Sequence, residues 1–190
     1  MTRHFEDARR AGGDDLAVLA EEVFELDVPV EPPAAHEEFM QALDAFNAAE
    51  QQLDAARQPE DLEQVSATIG EGRYRMACVL ALRAGRPLPR HLPPCFFDPR
   101  HGTASELMAW TPVLLDPRTV PVCVADGRLV ERDLQPKPRL VLLERREIVF
   151  WDAPGDFAGW FRGYFSVGDI CDPAKLLDGT RLGEALRESG

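Results

Sequence analysis

The sequence predicts an α+β fold in which an N-terminal antiparallel helical hairpin precedes a small strand-rich lobe with short helices. Three observations predict it. Apolar residues in two long stretches recur at alternating steps of three and four, a stiff proline-rich segment ends that pattern, and short runs of strand-forming residues follow between turn signals. With 190 residues, 45% hydrophobic and 28% charged, the chain has an ordinary globular composition. A chain of this size buries ~70% of its unfolded surface, so it needs neither metal nor disulfides merely to own a core.

Residues 1–33 read as an acidic segment with one short helix. Asp14-Asp15 is the expected cap, and Leu16, Leu19, Val23 and Leu26 are the apolar face before Pro29, Pro32 and Pro33. The hairpin occupies residues 34–86. Phe39, Ala42, Phe46, Ala49, Leu53 and Ala56 mark the seam of a helix over 34–57, and Leu62, Val65, Ile69, Gly72, Met76 and Val79 mark a second over 59–84. Pro59 suits its first turn, Glu60 and Asp61 complement the helix dipole, and Gly85 is the expected stop. The short connection makes the two helices antiparallel. Met40, Leu43, Leu80 and Leu82 lie off the seam and must be covered by the rest of the chain or by a partner.

Arg86-Pro87-Leu88-Pro89-Arg90 and Pro93-Pro94 form an extended linker. Residues 91–152 are the strand-rich lobe. One hairpin is expected from Leu107–Leu115 and Thr119–Cys123 around Asp116-Pro117-Arg118, then a short helix over Val124–Asp133, then a hairpin from 139–143 and 147–151 around Glu144-Arg145-Arg146. Residues 153–190 carry an aromatic helical face, Phe157, Trp160, Phe161, Tyr164 and Phe165, and a short helix opened by Asp172-Pro173 with Leu176, Leu177, Leu182 and Leu186. Core packing is the ordinary role of such a stripe. A membrane-interface role would run through the same aromatics, but Arg162 is the only basic residue between Arg146 and Lys175.

The formal charge of −12 is unevenly placed. Residues 1–64 hold 17 Asp and Glu against 4 Arg, a net of −13, and the remainder is close to neutral. Such a surface repels phosphate backbones, which argues against nucleic-acid binding and for a protein partner. No apolar core of a secretory leader follows Met1, so the expected compartment is the cytoplasm, where Cys78, Cys95, Cys123 and Cys171 stay reduced.

One quartet has metal-site chemistry. Cys95, His101, Cys123 and Asp126 are spaced C-x5-H-x21-C-x2-D, and thiolate, imidazole and carboxylate are all ligands of tetrahedral zinc. Pro99 and Gly102 supply a turn that joins the first pair, and a helical step of three joins the second. Knuckle, hairpin, then ligands at a helix N-terminus is the order of a treble-clef module with irregular ligands. The same residues admit another chemistry, in which Cys123 is a nucleophile, His101 its base, and Asp98 or Asp126 orients the imidazole. No nucleophile elbow, phosphate loop, Rossmann glycine pattern or HExxH supports an enzyme.

The run Pro94-Cys95-Phe96-Phe97-Asp98-Pro99-Arg100-His101-Gly102, then Trp110-Thr111-Pro112, Val120-Pro121-Val122-Cys123 and Gly163-Tyr164-Phe165, resembles a group of uncharacterised actinobacterial proteins. These place an alanine-rich helical region before a PCFF[DN]PxHG motif and a treble-clef-like segment. The resemblance spans about residues 40–183 and implies no catalytic role. The expected function is therefore a non-enzymatic protein–protein interaction or scaffold protein with a structural zinc at Cys95, His101, Cys123 and Asp126. The alternative is a thiol-dependent Cys/His enzyme.

Overall fold

A computed structural model describes residues 3–26, 30–111 and 117–165. The expected helix after Asp172, the residues 112–115 of the first strand, and Cys171 lie outside the described residues. The fold is α+β, with helices first and a strand-containing lobe after them.

Helix α1 spans Arg3–Phe24, so it starts more than three turns before Leu16, the first of its leucines. The expected cap at Asp14-Asp15 is incorrect. The buried stripe begins at Phe5 and continues through Ala8, Ala11 and Gly12 to Asp15, Leu16, Leu19 and Val23. Asp15 thus lies in mid-helix on the buried face. Small residues replace large ones over that first half because the helix approaches its neighbours closely: a Cβ on Gly12 would stand 3.5 Å from Leu53 and 3.9 Å from Trp160.

Helix α2 (Pro33–Ala55) and helix α3 (Asp61–Arg83) form the antiparallel hairpin. Every residue of the second seam is buried, whereas Phe46 and Leu53 of the first are only partly covered. Asp61, rather than Pro59, opens α3, because its carboxylate accepts hydrogen bonds from the backbone N–H of Arg57 (2.8 Å) and Gln58 (3.1 Å). Gly85 ends the hairpin as expected. It adopts φ +63°, and the following Arg86 N–H reaches back to the Ala81 carbonyl at 2.8 Å.

Strand β1 (Glu106–Trp110) pairs antiparallel with β2 (Arg118–Val122), Glu106 opposite Val122. Helix α4 (Val124–Val130) follows at once. Cys123 is its N-cap rather than the last residue of the strand. Strands β3 (Leu140–Leu143) and β4 (Arg146–Val149) form the second hairpin around Glu144-Arg145, both at positive φ. Its second strand stops at Val149, since Phe150–Asp152 turns as a short 3-10 helix that buries Phe150.

Helix α5 (Ala158–Phe165) carries four rings of the aromatic stripe, the fifth, Phe157, ends the 3-10 turn before it, and all five are buried. Glycines set its approach to α3. A Cβ on Gly163 would fall 2.0 Å from Ser66 Oγ and 2.1 Å from the Glu63 carbonyl oxygen. Helix α3 consequently sits at the centre, with α1, α2 and α5 around it. The buried residues of helices and strands join one cluster, from Phe5 through Ile69 and Phe96 to Phe165.

Among the described residues, the ion pair with both partners most deeply buried lies in that cluster. Asp15 accepts hydrogen bonds from Tyr164 Oη (2.7 Å) and Trp160 Nε1 (2.9 Å) and forms a short ion pair with Arg139. Arg139 also donates to the Ala11 carbonyl at 3.2 Å and lies over the Trp160 ring at 4.9 Å. Burial pushes the Asp15 carboxyl up, against the pull of Arg139 and the two ring donors. Sequence reading assigned no role to Asp15 with Arg139. The pair and its ring donors tie α1, the residue that leads into β3, and α5 together.

Candidate metal centre

The segment before β1 folds into a loop pinched at its base. Cys95 N–H donates to the Gly102 carbonyl at 3.0 Å, and Ala104 N–H to that of Pro93 at 3.0 Å. Pro99–His101 makes a 3-10 turn whose first free N–H, that of Arg100, donates to the Asp98 carboxylate at 2.9 Å. The Arg100 guanidinium grips the same carboxylate at 2.7 Å and holds Asp98 below its ordinary range, in spite of burial. Asp98 is thereby a loop brace, not an orienter of His101. Gly102 leaves the loop at φ +85°, a conformation that suits glycine. Phe96 and Phe97 anchor the loop in the core, and Phe96 N–H bonds the Pro121 carbonyl of β2 at 2.8 Å.

This loop presents Cys95 and His101 to the N-terminus of α4. There Cys123 Sγ accepts from Asp126 N–H at 3.4 Å, so the cap itself holds the second pair on one side. The structure brings all four expected residues together. Their ligand atoms lie within 4.8 Å of one another, close enough to hold a metal ion. Asp126 Oδ2 is 2.9 Å from His101 Nδ1, 3.1 Å from Cys95 Sγ and 3.5 Å from Cys123 Sγ, while Cys123 Sγ is 3.8 Å from His101 Nδ1. Cys95 and Asp126 are buried, Cys123 is half-buried, and the His101 ring is exposed.

The cluster polarises its members. Hydrogen bonds from Cys95 and His101, with N–H groups at the start of α4, lower the Cys123 thiol to about 3. Hydrogen bonding to Cys123 and then Asp126 raises His101 to about 9. Donation to Cys123, reinforced by burial, pushes the Cys95 thiol well up, and burial raises Asp126. The group is thus a set of donors competing for few protons, the state expected of ligands gathered around one point.

Two supporting residues carry no sequence signal. Arg73 of α3 is buried, donates to the Pro99 carbonyl at 2.9 Å and pairs with Glu22 of α1. It fastens the ligand loop to the helices. Beside it a groove of about 390 Å³ runs between the end of α1 and α3 to His101, with Leu26, Met76 and Leu80 on its walls. His91 is exposed, pairs with Glu71 at 3.0 Å and stacks on Tyr74. No family model, no curated protein and no solved structure matches this chain.

Proposed function

We propose that the protein is a non-enzymatic protein–protein interaction or scaffold unit whose strand-containing lobe is pinned by one structural zinc on Cys95, His101, Cys123 and Asp126. The observation that carries the metal reading is the convergence of all four groups on one point. Tetrahedral zinc, with bonds of about 2.3 Å to sulfur and about 2.0 Å to nitrogen or oxygen, separates its ligand atoms by roughly 3.3–3.8 Å. Four of the six separations run from 2.9 to 3.8 Å and all six lie within 4.8 Å, so side-chain movements of up to about 1 Å convert the hydrogen-bonded cluster into a coordination shell. The loop, hairpin and helix that carry the ligands follow one another in treble-clef order.

A thiol enzyme is favoured by one feature, the lowered Cys123 beside the raised His101. The geometry weighs against it. In a nucleophile–base–acid triad the carboxylate holds the imidazole nitrogen remote from the nucleophile. Here Asp126 and Cys123 face the same nitrogen, His101 Nδ1, and the carboxylate is the nearer. That is a ligand arrangement, and a catalytic thiol would be blocked by it.

Elemental analysis of protein purified without chelator tests the reading. The expected result is about one zinc per chain, lost in Cys95→Ser and His101→Ala variants together with part of the stability. Zinc-free protein, with both variants as stable as the parent, sinks the site. Rapid alkylation of Cys123 in zinc-containing protein shifts the assignment to the enzyme, since a thiolate in a closed metal shell is protected.

A further inference from the structure

We propose that Cys95 and Cys123 are a redox-releasable pair: a peroxide joins them as a disulfide and frees the bound metal. The proposal deepens the zinc reading and rests on it. The two sulfurs belong to one group whose ligand atoms lie within 4.8 Å of one another, and the backbone on either side is already cross-linked. Phe96 N–H, next to Cys95, bonds the carbonyl of Pro121, two residues before Cys123, at 2.8 Å, which holds the two cysteine segments against each other. A disulfide needs its sulfurs at about 2.05 Å, a closure that side-chain rotation on juxtaposed backbone supplies.

Exposure assigns the order of events. Cys123 is half-buried at the start of α4, whereas Cys95 is completely buried behind it. Peroxide, far smaller than an alkylating reagent, therefore reaches Cys123 before Cys95, at a rate well below that of a free thiolate. The Cys123 sulfur takes one oxygen as the O–O bond breaks, giving a sulfenic acid and a hydroxide that solvent protonates to water. Cys95 sulfur then attacks Cys123 sulfur; the S–S bond forms, the S–O bond breaks, and the second hydroxide also becomes water. Two sulfurs have lost two electrons, and one peroxide has gained them. Zinc leaves as the unchanged divalent ion, because His101 and Asp126 alone are too few ligands to retain it.

The test uses the chain as purified, carrying Cys78→Ser and Cys171→Ser so that only the pair can react. Hydrogen peroxide is added in slight excess while a chromogenic chelator follows zinc, maleimide labelling counts thiols, and peptide mapping locates the sulfur products. The expected result is loss of both thiols in step with release of the zinc, a Cys95–Cys123 cross-linked peptide, and recovery of both by dithiothreitol and added zinc. If the substituted background does not fold, the same map of the parent chain reads the cross-link. Zinc retained through oxidation, or Cys123 carried to sulfinic acid while Cys95 stays free, overturns this proposal and leaves the zinc reading standing. Protein that holds no zinc before peroxide is added overturns the zinc reading, and this proposal with it.

Discussion

Asp15 is a carboxylate in the middle of a helix that sequence reading assigned to a cap, and its burial decides its value. A charge removed from water is tolerated only when counter-charge and hydrogen bonds surround it, and Arg139, Trp160 and Tyr164 provide both. Replacing Arg139 by Leu leaves that carboxylate buried without its partner. Urea melts of Arg139→Leu are expected to show a loss of about 3–5 kcal/mol. The double variant Asp15→Leu with Arg139→Leu is expected to recover a substantial part of it, because no unpaired charge then remains. Full additivity of the two single losses is the result that contradicts a coupled pair. Nothing local announces this hub, whose other members stand 124 to 149 residues from Asp15. The metal quartet was legible, because its residue types are ligands and its two pairs are each joined over a short spacing. Arg73 and Glu22 were not, since a helical arginine and glutamate ordinarily read as solvated charge.

Between elements, the α2–α3 hairpin was readable from periodicity, and the structure returns its seams with boundaries moved by one or two residues. Helix α1 was half missed for a physical reason. Its first half buries small residues and an aspartate, so the apolar signal fades where packing is closest. The same logic governs the contact of α5 with α3, where Gly163 leaves no room for a side chain against Ser66 and the Glu63 carbonyl. Gly163→Ala forces backbone apart and is expected to cost about 1–3 kcal/mol or more, although alanine is the better helix former. Ile69→Ala, deep in the α3 seam, is expected to cost about 2–5 kcal/mol through lost burial and a cavity. Phe46→Ala should cost less than Ile69→Ala, since Phe46 is only partly covered. Denaturant midpoints of the three variants check the order; a Gly163→Ala protein as stable as the parent would mean that α5 does not sit against α3 as described.

At the scale of the molecule, burial and charge separate cleanly. The aromatic stripe of α5, the natural candidate for a membrane or partner surface, lies inside the core, and no helix among the described residues is long and apolar enough to cross a membrane. The acidity remains outside. Asp15 and Glu22 are neutralised by Arg139 and Arg73, but Glu6, Asp14, Glu21, Glu25, Glu37, Asp44, Glu50 and Asp54 are exposed along α1 and α2. Phe24 and Met40 stand exposed on the same two helices and Leu80 on α3, at 66%, 42% and 51% of their full area. Acidic side chains interspersed with single large apolar ones suit a basic, amphipathic partner, which gains on-rate from the charges and residence from the apolar contacts. For a partner recovered with this protein, affinity is expected to fall steeply between low and high salt, because exposed charges are screened over about 10 Å at 0.1 M ionic strength. Replacing Glu21, Glu25 and Glu37 together by Gln is expected to flatten that dependence mainly through the association rate, whereas Leu80→Ser is expected to raise the dissociation rate. Surface-resonance kinetics at several salt concentrations separate the two effects. A partner whose association rate is the same at every ionic strength does not use the acidic face, and its contact must then be sought on the outward side of β3, where Leu140 and Leu142 are exposed.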